Sequence, residues 1–371
     1  MGRKTTELNE AQFRGKVLWV SFLFTVLVIW THAGNAALFL GESSPVTWAH
    51  RIERLLGQHV AQMAVPGFFM VSAYLFYRNF TWDKLASKWK SRIRSLLAPY
   101  LLWNALYYLG YVVASRLPGL SGVVGKGTIP FGVVPLAEAM ASHTYLYVFW
   151  YLRQLIFLVA LAPAIWFAVR RWWVFAPALA AVWVCVALRV RLPLINSDAL
   201  FYYLVAARLG VMGRGAGVFF AERAWTRGGA LAACAALAVA VMVFQNPVFY
   251  SNDGALVMLR VLLVAVVWVL VPEAAALPAT GALPETEAPG GFRRFFRPAP
   301  WMRINFFVYA SHFALVRLVN KGVAYLFHGG RALAVAVYLL MPVVAVAAAY
   351  GASVPLRRHA PALWGLLSGG R

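Results

Sequence analysis

Val17–Leu40 reads VLWVSFLFTVLVIWTHAGNAALFL, 24 residues without a formal charge. About 20 apolar residues in helical conformation cross the hydrocarbon of a bilayer, so this run is long enough to span one. It is too long for the core of a signal peptide, and no small-residue cleavage site follows it. It reads as a retained membrane helix. One residue fits poorly. His32, in VIWTHAGN at 28–35, lies about 16 residues beyond Lys16, roughly 24 Å up the helix and in its outer half.

The rest of the chain carries the same signal. Of 371 residues, 62% are hydrophobic and only 12% are charged, and the mean hydropathy is +0.70. A soluble domain is about a quarter charged. There are 34 Lys and Arg against 12 Asp and Glu. In a soluble protein that excess would suggest nucleic acid. Beside this hydropathy it reads as the basic bias of cytoplasmic loops, and no nucleic-acid partner is expected. Cys185 and Cys234 stand in separate apolar runs. Their spacing suggests neither a disulfide framework nor a metal site, and they read as buried small hydrophobes.

Ten apolar spans follow one another, at 17–40, 60–80, 96–115, 144–169, 172–188, 199–220, 230–246, 254–272, 304–327 and 332–353. With the N-terminus inside, the inner loops hold 20 Lys and Arg and the outer loops 7. The expected fold is therefore all-α: a polytopic membrane helical bundle of about ten transmembrane helices, with both termini cytoplasmic. Residues 1–371 read as a single integral membrane domain, with no internal repeat and no appended soluble domain. A basic segment, DKLASKWKSRIR at 83–94, lies at the inner surface. A stretch at 273–300, rich in Ala, Pro, Gly and Glu, reads as a flexible cytoplasmic loop ending in a basic-aromatic patch suited to anionic lipid.

Ionisable groups within a bilayer are costly, so they usually face a cavity or a partner. His32, Arg153 in VFWYLRQL and His312 in FVYASHFALV come from three spans and all sit at internal depths. Each has two readings. The histidines either line a catalytic cavity or bond a neighbouring carbonyl. Arg153 either faces that cavity or ties two helices. Arg317, Lys321 and Arg260 lie near span ends, where a long side chain snorkels to the surface. Arg208 and Arg214 are ambiguous. The second span, VPGFFMVSAYLFYRNF, is interrupted by Pro66 and Gly67 and then offers Ser72 and Tyr74 as polar handles. It reads either as a broken helix lining a cavity or as a kinked packing helix.

The order of these motifs resembles the acyltransferase 3 family of integral membrane acyltransferases. VLVIWTH places the family histidine on His32. VPGFFMVSAYL, KSRIRSLLAPYLLW, FWYLRQLIFLVALAP and FVYASH follow in the family's order, over residues 14–350. There is a departure. Many members carry Asp and Arg ahead of the first-helix histidine, and here those places hold Leu18 and Ser21. A charge partner for His32, if the chemistry uses one, has to come from elsewhere.

The resemblance implies transfer of an acyl group, often acetyl, from cytoplasmic acyl-coenzyme A to a hydroxyl of a cell-surface carbohydrate or its lipid-linked precursor. It implies a multi-pass protein of a bacterial inner membrane, acting alone or with a separate partner, with acyl-coenzyme A as co-substrate and no permanently bound cofactor or metal. The residues suit that chemistry. Transfer to a hydroxyl needs a base or an acyl-carrying nucleophile, and histidine can be either near neutral pH. His32, His312 and Arg153 are the catalytic candidates. Arg92, Arg94 and Lys90 stand where they could hold coenzyme A phosphates, arginine by a bidentate fork. Ser72, Tyr74 and Tyr309 are the cavity candidates. The rival reading is a transporter or flippase of a lipid-linked or polysaccharide substrate, which broken spans and intramembrane charges suit equally well.

Overall fold

The computed structural model describes residues 2–41, 45–119, 121, 127–142, 144–212, 253–271, 297–327 and 330–370. The expected span at 230–246, most of the loop at 273–300, Arg214 and Cys234 lie outside the described residues.

Every regular element among the described residues is helical. In chain order they are α1 (Gly2–His32), α2 (Ala36–Leu40), α3 (Trp48–Glu53), α4 (Ala64–Tyr77), α5 (Leu85–Arg92), α6 (Ala98–Ala114), α7 (Val133–Ser142) and α8 (Trp150–Ala160). Then come α9 (Ala162–Arg170), α10 (Trp172–Ala187), α11 (Ser197–Val211), α12 (Asp253–Leu270), α13 (Asn305–Leu326), α14 (Arg331–His359) and α15 (Pro361–Leu367). π-wound turns at Arg54–Val60 and Ile93–Leu97 carry α3 towards α4 and α5 into α6.

Among the described residues, five helical stretches are long and apolar enough to cross a membrane: Glu10–Leu40, Trp48–Tyr77, Trp82–Ala114, Asp253–Leu270 and Arg331–His359. Helices α8 and α9 make a sixth if counted together.

Two breaks divide what the apolar runs present as continuous spans. Helix α1 stops at His32, and Ala33–Asn35 are non-helical before α2. The sequence there, Ala-Gly-Asn, ends a helix because glycine and asparagine tolerate the conformations that terminate one. The second break is at Leu161. Pro163 has no N–H to give the carbonyl four residues earlier, that of Val159. That oxygen instead accepts a hydrogen bond from Trp89 Nε1 at 2.9 Å.

The chain forms two compact units. The first comprises Met1–Thr31, Leu55–Thr81 and Ala162–Asn305. Here α1 crosses α4 at Gly67, where an added Cβ would lie 2.2 Å from the ring of Phe24, itself fully buried. The close approach that this glycine allows is therefore made by a packing residue. Gly210 does the same for α11, since a Cβ there would meet the Tyr74 carbonyl at 3.0 Å. Small residues let membrane helices pack this closely. Arg78 pairs with Glu10, and Arg208 donates to the Val169 carbonyl at 2.7 Å, closing the end of α9. Arg208, ambiguous in sequence, is thus a helix tie. Arg260 opens onto a polar cavity of about 490 Å³ with Asp198, Tyr202 and Asp253, and Arg189 bridges Asp253 at 2.6 Å.

The second unit comprises His32–Arg54, Trp82–Leu161 and Phe306–Arg371. Helix α6 organises it through polar tips on aromatic bodies, which find carbonyl partners when buried. Trp103 Nε1 donates to Leu367 O at 3.0 Å, holding α15, and Tyr108 donates to Pro130 O at 2.9 Å. Phe307 of α13 packs against Trp103 and Trp364. Ala36, Ala49 and Val335 form the apolar seam among α2, α3 and α14.

Candidate active site

His32 and His312, read from the first and ninth apolar runs, meet in the second unit. Their ring centroids are 5.5 Å apart, with planes 40° from parallel. His32 is the half-buried last residue of α1, while His312 is 1% exposed on α13. The edge-on contact of His32 with Phe313, at 5.8 Å, adds an apolar wall.

The protonation geometry of His312 follows from its neighbours. Nδ1 lies 2.6 Å from the Tyr309 carbonyl oxygen. A carbonyl can only accept, so Nδ1 carries the hydrogen and, in the neutral ring, the lone pair is on Nε2. Nε2 is buried without a hydrogen-bond partner among the described residues. A buried polar atom left without a partner is rare enough to call for an explanation.

Three aromatic residues hold this turn of α13. Tyr309 donates its hydroxyl to Val148 O at 2.6 Å and stacks on Phe149, with planes 3° apart. The Tyr107 hydroxyl enters the helix ladder, donating to Ala310 O at 3.0 Å and accepting from Ala314 N at 3.2 Å. Those two residues flank His312. These two bonds tie the turn of α13 around His312 to α6. Tyr309, expected to line a cavity, is 5% exposed with its hydroxyl committed to Val148, so its place is in the wall behind His312.

The remaining candidates are distributed as follows. Arg153 is half-buried on α8, its guanidinium 5.6 Å from the centroid of Phe157. Arg92 lines a groove of about 330 Å³ with Trp89, Ile93, Leu96, Ile156 and Val159. Lys90 and Arg94 are exposed and do not line it. The reason is helical geometry. Two residues either way from Arg92 is about 200° around the axis, so Lys90 and Arg94 share the opposite face. Ser72 and Tyr74 are half-buried in the first unit, with Tyr74 beside Phe13. Among the described residues there is no group of three His, Cys, Asp or Glu side chains able to hold a metal ion.

Sequence reasoning missed three residues bonded to the break after His32, namely Asn35, Glu53 and Asn320. Asn35 N and Ala36 N both donate to Glu53 Oε1, at 2.8 and 2.9 Å. Asn320 Nδ2 donates to Ala33 O at 3.1 Å. The available signal was Ala-Gly-Asn directly behind an intramembrane histidine. A helix that ends at that depth exposes backbone groups that protein must satisfy.

No curated protein and no solved structure matches the chain significantly. A family model described as an acyltransferase domain matches residues 19–356, nearly the whole length and every segment that contributes to the histidine pair. The chain belongs to the acyltransferase 3 family, membrane enzymes that transfer acyl groups other than amino-acyl groups, typically to carbohydrates.

Proposed function

We propose that the protein transfers an acyl group, acetyl in the simplest case, from cytoplasmic acyl-coenzyme A to a hydroxyl of a cell-surface glycan or lipid-linked sugar precursor. In this reading residues 1–371 form one ten-span domain of a bacterial inner membrane, with both termini inside.

The observation that carries it is the pair of imidazoles 5.5 Å apart, one of them with Nε2 buried and free to accept. The acceptor hydroxyl oxygen attacks the thioester carbonyl, and its proton passes to an imidazole nitrogen. The C–S bond breaks, and the proton goes on to the thiolate, so that free coenzyme A leaves. His312 Nε2 is suited to take the proton. The more open His32 is suited to meet the incoming group, and Arg153 to offset negative charge on the carbonyl oxygen. Arg92 is assigned to the coenzyme A phosphates.

The test is release of coenzyme A thiol by the full chain in nanodiscs, with a membrane extract as acceptor. His32→Ala, His32→Gln and His312→Gln should each lower kcat by on the order of 10²–10⁴, the range for a positioned general base. Glutamine can hydrogen-bond but cannot take up the proton. Wild-type turnover by folded His32→Ala and His312→Gln proteins would remove the base and raise the transporter reading above the enzyme.

A further inference from the structure

We propose that Glu53 is a positioning residue for the histidine pair: it terminates α1 behind His32 and, together with Asn320, fixes where His32 stands relative to His312. This rests on the reading of the pair as the acyl-transfer base.

The argument starts from the backbone. Ending a helix inside an apolar segment frees the last carbonyls of α1 and the first N–H groups of α2, with little water to receive them. At the start of α2 the N-cap side chain would normally help. Asn35 occupies that position and makes no side-chain cap bond. Its amide Nδ2 instead reaches Asn320 Oδ1, at 3.4 Å. Glu53 substitutes for the cap from another helix. One carboxylate oxygen takes both the Asn35 and the Ala36 N–H, at 2.8 and 2.9 Å. Both N–H groups, which would otherwise have continued α1, are thereby satisfied by a side chain.

On the carbonyl side, Asn320 donates to Ala33 O at 3.1 Å. Asn320 lies eight residues after His312 on α13. The residue immediately after His32 is therefore tied directly to the helix that carries His312. The three-residue break is held on its N–H side by α3 and on its carbonyl side by α13. Among the described residues the hydrogen bonds of Glu53 go to the Asn35 and Ala36 N–H groups and not to either imidazole, so its influence on chemistry runs through the backbone. This also bears on the departure at Ser21: the carboxylate that this chain brings near its first-helix histidine holds the backbone rather than the ring.

The experiment compares Glu53→Gln, Glu53→Ala and Asn320→Ala in the full chain in nanodiscs, each alone and combined with His32→Ala. The amide oxygen of glutamine accepts the same two N–H groups, so Glu53→Gln should keep kcat within a few-fold of wild type. Glu53→Ala and Asn320→Ala should lower kcat at least tenfold while the KM for acyl-coenzyme A stays within twofold. In the His32→Ala background neither should lower turnover further, because nothing is left to position. If Glu53→Ala fails to fold, Glu53→Gln and Asn320→Ala carry the same test. Wild-type kcat in Asn320→Ala, or a loss in Glu53→Gln as large as removal of His32, overturns the proposal. His32→Ala by itself separates the two claims. Full turnover in that variant removes His32 from the reaction and with it the reading of the pair, whereas a large loss there with no effect of Asn320→Ala removes only the positioning role.

Discussion

Arg92 shows how much a single position on a helix decides. Three basic residues at 90, 92 and 94 look equivalent in sequence, and only Arg92 faces a groove. Guanidinium meets phosphate by two parallel hydrogen bonds, and bonds to charged groups contribute about 1.5–3 kcal/mol. Arg92→Ala should therefore raise the Kd for acyl-coenzyme A by roughly 10- to 100-fold. Arg92→Lys should recover only part, since an ammonium lacks the fork. Lys90→Ala and Arg94→Ala should each change Kd by less than threefold, the effect of an exposed charge. Equilibrium binding of a non-hydrolysable analogue measures all four. Equal losses at the three positions would mean diffuse attraction rather than a phosphate site. The residue types were legible in the sequence, because a histidine or arginine stands out in an apolar run. Their orientation was not. Nothing in FVYASHFALV says that Nδ1 is spent on the carbonyl of Tyr309, and nothing in the uncharged first run announces that Glu53, 21 residues on from His32, closes the helix behind it.

At the scale of elements, the apolar runs among the described residues fall on helices, and two of those runs contain breaks that hydropathy does not mark. Hydropathy counts side chains, whereas breaks are made by backbone groups and by whichever residue happens to satisfy them. The Leu161 break is the clear case. The motif FLVALAP contains its cause, Pro163, but not its compensation, since Trp89 comes from α5, about 70 residues earlier. Removing that indole donor leaves the Val159 carbonyl buried and unpaired. Trp89→Phe, which keeps an aromatic ring, should lower stability by about 1–3 kcal/mol, the cost of an unsatisfied buried group. A drop in the thermal unfolding midpoint in nanodiscs checks this. An unchanged midpoint would show that water or lipid headgroup atoms reach the carbonyl. Pro66 differs from Pro163: the chain stays helical through Pro66, within the single stretch Trp48–Tyr77, whereas it breaks at Leu161.

For the whole molecule, orientation in the membrane decides whether the chemistry is possible. In the proposed reaction the donor is cytoplasmic acyl-coenzyme A, and that proposal requires the face bearing Arg92 to be inside. The distribution of charge makes the same demand from independent residues: 20 Lys and Arg fall in the loops assigned inside and 7 in those assigned outside. Such a bias sets topology because basic loops resist translocation. Ser87 and Ser91 precede Arg92 on exposed positions of α5, whereas Ser121 follows α6 at the other end of a span and Asn196 is exposed ahead of α11. With Cys185 and Cys234 replaced by serine, single cysteines at 121 and 196 should react with a membrane-impermeant thiol reagent in intact cells. Those at 87 and 91 should react only after permeabilisation. The four positions test two different steps in the chain. Labelling at 87 or 91 in intact cells would place Arg92 on the wrong side for its donor and end that assignment. Protection at 196 with labelling at 121 would instead leave Arg92 inside and make the number of crossings between α6 and α11 odd, so that α8–α9 and α10 are not one crossing each. Charge in the loops and the position of Arg92 are thereby bound to a single pattern of reactivity.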